Sequence, residues 1–174
     1  MSILTELGYD VRSPNAVQRA VQNLASSRPG AWVFSRTLAP IDRVVHRFSG
    51  GRFTVPGVVA ALPVIMVTTT GARSGQPRTT PLLGIPLDGG LAVIGTNYGQ
   101  RATPGWVYNL EANPAAEVSY RDAIVEARAR PADAFETEAA FEQGSKFYAG
   151  YLKYRARADH RDIRVFVLET AMAP

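Results

Sequence analysis

The chain of 174 residues contains no cysteine. Disulfides, thiol nucleophiles and cysteine-bound metals are thereby excluded, and the composition fits a reducing cytoplasm. Histidine is almost as scarce. His46 and His160 stand far apart and neither belongs to an HExxH or comparable cluster, so a transition-metal site is not expected. A Ser-His-Asp hydrolase would have to use one of these two imidazoles, and the GxSxG turn that presents such a serine is missing. No apolar run reaches membrane-spanning length; the longest near-candidate, 54–70, is cut by Pro56 and Pro63. Glu6 and Asp10 break the basic-then-apolar layout of a secretory leader, so none is expected. A regular alternation of strands and helices is also missing, which argues against a parallel sheet.

Hydrophobic residues make up 46% of the chain and charged residues 20%, enough to build one globular core. The net charge of +4 is unevenly placed. Residues 1–62 hold seven arginines against Glu6, Asp10 and Asp42, while the remainder balances. Ser13-Pro14 starts a helical pattern that carries Val17, Ala20, Val21 and Leu24. A second such stretch holds Trp32, Val33, Phe34 and Leu38. A third begins at Pro40, with Ile41, Val44, Val45 and Phe48 on one face and Arg36, Arg43 and Arg47 beside it, and ends at Gly50-Gly51. A basic amphipathic segment of this kind can lie on an anionic membrane. The commoner fate is a helix packed on its own domain with solvated arginines. Nucleic acid is not an expected partner, because the basic residues are dispersed and no recognised motif accompanies them.

From residue 62 the periodicity becomes that of strands: 63–70, 79–86, 91–96 after the Asp88-Gly89-Gly90 turn, 115–120 and 123–130 around Arg121-Asp122, and 163–168. A short helix is expected at 104–111 and a long helical pattern at 133–154, carrying Phe135, Ala139, Phe141 and Phe147 and interrupted by Gly144 and Gly150. About six strands with helices inserted between them predict a mainly antiparallel barrel.

Four stretches could carry chemistry. Between two apolar runs, Gly71 and Gly75 bracket Arg73 and Ser74, and Arg78 follows. Glycine lets a backbone turn tightly, and a guanidinium suits phosphate or carboxylate. Such a loop can seat an anion, or it can simply expose its arginines to water. The stretch Gly95-Thr96-Asn97-Tyr98-Gly99 can offer N–H groups and a hydroxyl to a flat ring. Pro104-Gly105-Trp106-Val107-Tyr108-Asn109 places an indole either against a cofactor or, more commonly, in the core. Tyr148, Tyr151 and Tyr154 follow at i, i+3, i+6, which aligns three phenols on one side of a continuous helix. Each phenol can donate to a developing anion or face water at an amphipathic edge.

Taken together, these motifs resemble the deazaflavin-dependent nitroreductases. The carriers are the run from Thr69 to Leu82, Pro104-Gly105-Trp106 with Asn109-Leu110 and Asn113-Pro114, and Tyr148-Ala149-Gly150-Tyr151 with Tyr154 and Arg161. The resemblance spans 62–170 and implies an α+β, mainly β fold. That fold is a split β-barrel of about six mostly antiparallel strands with peripheral helices. It would form one domain at 62–174, preceded by an N-terminal helical extension at 1–61. The resemblance further implies an enzyme that uses coenzyme F420 to transfer a hydride to a small electrophile such as a quinone, an enone or a nitroaromatic. Arg73, Ser74, Gln76, Pro77 and Arg78 would hold the phosphate and polyglutamyl tail. Thr79, Thr80 and Pro81 would run beside the deazaflavin, and Thr96, Asn97 and Gly105, Trp106, Val107, Tyr108 and Asn109 would contact the ring. Tyr148, Tyr151 and Tyr154 would line the acceptor side, with Tyr151 as proton donor or clamp. No metal is implied. Members often carry a basic residue where Ala72 stands, and some carry an aromatic one where Leu83 stands. Asn97-Tyr98 replaces a smaller or basic pair. The alternatives are an FMN-dependent flavoprotein and a non-catalytic lipid or cofactor binder on the same barrel. The expected setting is the cytoplasm, with membrane contact through 1–61 and homodimerisation as further expectations.

Overall fold

The computed structural model describes residues 2–10 and 62–171. The helices expected between residues 14 and 50 lie outside the described residues. One antiparallel sheet contains seven strands: β1 (Val64–Thr70), β2 (Pro77–Leu83), β3 (Ile85–Leu87), β4 (Gly90–Ile94), β5 (Ala115–Tyr120), β6 (Ala123–Pro131) and β7 (Val165–Thr170). Their order is β2-β1-β5-β6-β7-β4-β3.

The sequence pattern explains the faces. In β6, Val125, Ala127 and Ala129 are buried while Glu126, Arg128 and Arg130 between them are exposed, as a period of two requires. Strand β4 is buried on both sides. Leu91 and Val93 join the barrel core with Ile65, Val67, Trp106, Val118 and Phe166. Ala92 and Ile94 face a second cluster built with Phe141, Tyr148, Tyr151, Tyr154 and Val165. A strand covered on both faces reads as a continuous apolar run, which Leu91–Ile94 is.

The connection at Gly84 shows how the sheet closes. Strands β2 and β3 form opposite edges of the sheet, yet Leu83 and Ile85 are separated by one residue. The sheet must therefore curl until its edges meet. Gly84 donates its N–H to the Pro63 carbonyl at 3.0 Å. The Tyr9 hydroxyl lies 2.6 Å from the Gly84 carbonyl and 3.0 Å from that of Pro63. A β-carbon at position 84 would sit 2.6 Å from the same hydroxyl. The strand expected at 79–86 is thus broken at Gly84 into β2 and β3, which raises the strand number to seven. Pro77 and Pro81 fit β2 because it is an edge strand, where a missing N–H is tolerated.

Residues 2–10 are built into the barrel. Helix α1 (Ile3–Glu6), capped by Ser2, buries Ile3, and Leu7 follows it into the same core. Tyr9 packs on Tyr120 at 4.8 Å, and the Tyr120 hydroxyl donates to the Asp10 carbonyl at 3.0 Å. Burial, and then the neighbouring Tyr120, push the Tyr9 phenol well above its ordinary value.

Helix α2 (Gly105–Ala112) follows the β4 exit loop. The long helix expected at 133–154 is two helices, α3 (Ala134–Phe147) and α4 (Gly150–Arg157). They part at Tyr148, whose φ of −145° and ψ of 90° are not helical. A capping box starts α3: Asp133 accepts from the Glu136 N–H at 2.8 Å, and Glu136 accepts from the Asp133 N–H at 2.9 Å. Phe135, expected on the apolar stripe, is 79% exposed in the first turn.

Candidate cofactor site

The loop between β1 and β2 is folded by its own backbone. Gly71 donates to the Gln76 carbonyl at 2.9 Å and Gly75 donates to the Gly71 carbonyl at 2.8 Å. Gly75 has φ of +64°, and a β-carbon at Gly71 would meet the Ser74 Oγ at 2.6 Å. The positive φ favours glycine at 75, and Gly71 leaves room for the Ser74 side chain and the Gln76 carbonyl. Everything from Ala72 to Thr79 is exposed. Arg73 and Arg78 thus stand in solvent with Ser74 and Gln76 beside them, a donor set that fits a phosphate or carboxylate. Thr79, Thr80 and Pro81 continue along β2, opposite Thr68, Val67 and Met66.

Asn109 ties this loop to α2. Its Oδ1 accepts from the Ala72 N–H at 2.9 Å, and its Nδ2 donates to Thr69 Oγ1 at 3.0 Å. The buried Thr69 hydroxyl donates in turn to the Arg78 carbonyl at 3.3 Å. Both ends of the Asn109 amide are consequently engaged within the protein. Its neighbours on α2 divide sharply. Trp106 packs edge-on against Phe166 at 6.1 Å, and Val107 is fully buried. Tyr108 is 53% exposed, and a β-carbon at Gly105 would meet open space.

The loop after β4 is compressed against α2 and α4. At Gly95 a β-carbon would lie 3.0 Å from Val107 Cγ2 and 3.0 Å from the Arg164 carbonyl. Thr96 is buried. Asn97, Tyr98 and Gly99 all have positive φ, at 47°, 57° and 76°. Asn97 Nδ2 donates to the Ala102 carbonyl at 2.8 Å, and the Tyr98 ring meets Tyr154 edge-on at 5.9 Å.

The three expected tyrosines do converge, although not on one continuous helix. Tyr148 lies in the break, while Tyr151 and Tyr154 lie on α4. The break turns Tyr148 toward the other two, with ring centroids 5.8 Å from Tyr151 and 5.9 Å from Tyr154. The Tyr148 and Tyr154 hydroxyls are 2.7 Å apart. All three rings are buried, so they do not form a solvated edge. The Tyr151 hydroxyl has no hydrogen-bond partner among the described residues. Glycine makes the packing feasible: a β-carbon at Gly150 would sit 2.4 Å from the Tyr148 ring, and one at Gly144 would sit 3.0 Å from the Tyr151 ring. Burial pushes the Tyr148 phenol up to about 12 and raises Tyr151 and Tyr154 further, so all three are neutral donors near pH 7.

The four stretches are therefore linked by a chain of contacts. Asn109 joins the arginine loop to α2, Val107 of α2 packs under Gly95, and Tyr98 of the next loop touches Tyr154. The model of the F420H(2)-dependent quinone reductase family matches residues 41–170. The chain belongs to that family.

An F420H(2)-dependent quinone reductase of Mycobacterium tuberculosis is 33% identical over 84 residues, 47% of this chain and 54% of the relative. The match thus spans about half the length of the curated relatives. The solved structure of an F420-H2-dependent reductase, FDR-A, aligns at 32% identity with a TM-score of 0.56, over 62% of this chain and 94% of that one. Another solved structure, described as a domain-swapped dimer, aligns at 28% identity with a TM-score of 0.58, over 81% and 99%. The quinone reductase family thereby accounts for the mainly β split barrel and for F420 as its cofactor. Among the described residues no helix is long and apolar enough to cross a membrane, and no group of His, Cys, Asp or Glu could hold a metal. The sequence points to Tyr98 by its place in a Gly-bracketed loop and to Arg161 by its place in the last motif, without giving a role to either side chain.

Proposed function

We propose that this chain is an F420H2-dependent oxidoreductase that passes a hydride to a small electrophile of quinone type. The observation that carries the proposal is the chain of contacts that links a loop with exposed cations to a cluster of buried neutral phenols. Arg73, Ser74, Gln76, Pro77 and Arg78 would hold the phosphate and glutamyl tail. Thr79, Thr80 and Pro81 would border the deazaflavin from β2. Thr96, Asn97, Gly105 and Tyr108 would border its ring, with Trp106 and Val107 as a packed floor and Asn109 as a brace.

Bound F420H2 supplies a hydride from a ring carbon. The chain's own task is to orient, to exclude water and to stabilise charge. A quinone gains negative charge on oxygen as it is reduced. A neutral buried phenol can donate to that oxygen, and Tyr151 is the best placed, since its hydroxyl is unengaged among the described residues. Tyr148 and Tyr154 bond to each other and shape the wall beside it.

A spectrophotometric assay of F420H2 oxidation with menadione tests the proposal. Turnover above background is expected. Binding without turnover would make the protein a carrier, and tight FMN binding with no F420 binding would reject the assignment. The homodimer and the membrane contact through 1–61 are parts of this proposal, to be read by light scattering and by sedimentation with anionic vesicles.

A further inference from the structure

Arg161 lies between α4 and β7 and reaches across to the loop that leaves β4. Its Nη2 donates to the Gly95 carbonyl at 3.1 Å and to the Thr96 carbonyl at 2.9 Å, and its Nε donates to the Gln100 carbonyl at 3.3 Å. One guanidinium thus grips the loop at both its beginning and its end. Between the grips stand Asn97, Tyr98 and Gly99, all with positive φ. Asparagine adopts that region readily, whereas a residue as bulky as Tyr98 keeps it only where its surroundings fix it.

Other contacts hold the loop beside this grip: Gly95 donates to the Arg164 carbonyl at 2.8 Å, Asn97 to the Ala102 carbonyl at 2.8 Å, and Tyr98 meets Tyr154 edge-on. The short turn is closed by Gly99 to the Thr96 carbonyl at 2.9 Å and by Gln100 to the Asn97 carbonyl at 3.0 Å. Gly99 is pressed on α4, where a β-carbon would meet Arg157 Cβ at 2.9 Å. Among the described residues no carboxylate pairs with Arg161, and its Nη1 is buried without a partner. Desolvation lowers its pKa. A guanidinium lodged among carbonyls, without an ion pair, is placed by its fork geometry. An ammonium could not reproduce three contacts directed at residues 95, 96 and 100.

We infer that Arg161 is a positioning residue, whose guanidinium fixes the Gly95–Gln100 loop so that Thr96 and Asn97 meet the deazaflavin ring while Tyr98 meets Tyr154. The inference rests on the proposed reading of this loop as the ring-side wall.

The test uses Arg161→Met, Arg161→Lys and Arg73→Ala in the full chain. Each is titrated with F420 and with a deazaflavin chromophore that lacks the phosphate and glutamates. Arg161→Met is expected to weaken both ligands by the same factor, about tenfold or more. Arg73→Ala should weaken F420 alone. Arg161→Lys should recover part of the loss, and it carries the comparison if the Met variant fails to fold.

Amide exchange in the unliganded proteins supplies a second readout. Residues 96–100 should exchange at least tenfold faster in the Arg161 variants, with β4 and β7 unchanged. Exchange rising evenly through the sheet would make Arg161 a general stabiliser and overturn the inference. So would unchanged exchange and unchanged affinity. If the wild type binds neither chromophore, the functional reading fails, and the exchange comparison still decides the role of Arg161.

Discussion

Between Ala72 and Thr79 every residue is exposed and two guanidinium groups stand in water, whereas at Tyr148, Tyr151 and Tyr154 every ring is buried and none carries charge at neutral pH. The two regions also differ in what shapes them. The loop is formed by backbone hydrogen bonds closed over two glycines. The cluster is formed by ring packing that uses the missing side chains of Gly144 and Gly150. A solvated charged loop attracts anions over a distance but is screened by salt and tolerates small changes of shape. A packed cluster has little reach and little tolerance, and it fixes the geometry of whatever lies against it. On the proposed function, the first region selects the cofactor and the second selects the acceptor.

The largest expected effect lies on the loop. Replacing Arg73 and Arg78 together with Ala should weaken F420 about a hundredfold or more, since each charge-assisted bond is worth about 1–3 kcal/mol. Fluorescence titration at low and high salt would measure it. The advantage of the wild type should shrink as salt rises, and turnover at saturating cofactor should survive. Loss of turnover without loss of affinity would merge the two regions into one. Next comes the cluster: Gly150→Val drives a side chain into the Tyr148 ring. It should lower stability by about 1–3 kcal/mol in urea unfolding, as overpacking does. Acceptor kcat/KM should fall while F420 affinity stays within about twofold.

The same contrast governs what could be read from sequence. The loop was legible because its function depends on residue types, and Gly71, Arg73, Ser74, Gly75 and Arg78 announce both the turn and the charge. The sheet was legible from the alternation in β6 and the apolar run in β4. The break at Gly84 was not, because it arises where two edges of a curled sheet meet, and its local pattern continues that of a strand. The break at Tyr148 was hinted at by Gly144 and Gly150, yet nothing local says that the chain reverses the stripe into a buried trio. The hydrogen bonds that engage both ends of the Asn109 amide, with Ala72 and Thr69, are likewise beyond the sequence. Those partners are 37 and 40 residues away, beyond the reach of any local pattern. Residues 2–10 hold Ile3, Leu4, Leu7 and Tyr9, but so short a segment cannot show by its own pattern that Ile3 and Leu7 enter the barrel.

Within the cluster, two conservative changes separate packing from chemistry. Tyr154→Phe removes the partner of the buried Tyr148 hydroxyl and should cost about 1–2 kcal/mol of stability. Tyr151→Phe removes a hydroxyl with no partner among the described residues, so its stability should change by less than about 0.5 kcal/mol. Its rate of quinone reduction should nevertheless fall about tenfold or more. Equal rates for Tyr151→Phe and wild type would remove that hydroxyl from the reaction and leave the cluster a wall.

The smallest effect near neutral pH, and the one that shows the cluster's burial most directly, is in alkali. Tyr148 is raised to about 12 by burial, and Tyr9, Tyr151 and Tyr154 are raised in the same direction. An unfolded tyrosine titrates near 10. Below that value both states keep their phenolic protons, so these groups contribute no slope and their stabilisation is fully present. Above it the unfolded chain releases protons that the folded chain retains. The folded state then binds more protons, and stability must fall as pH rises from about 10 through the raised values. Urea midpoints should therefore be flat in this respect from pH 7 to about 9 and drop above 10. The phenolate absorption of the folded protein should lag behind that of the unfolded chain. Tyr154→Phe should shallow the alkaline fall, because one raised group is gone. The Arg73 and Arg78 variants should leave it unchanged, since neither side chain lies among the causes that shift these phenols. An alkaline fall of the same steepness in all of these variants would detach it from the tyrosines, and with it the view that the cluster holds its phenols neutral by burial.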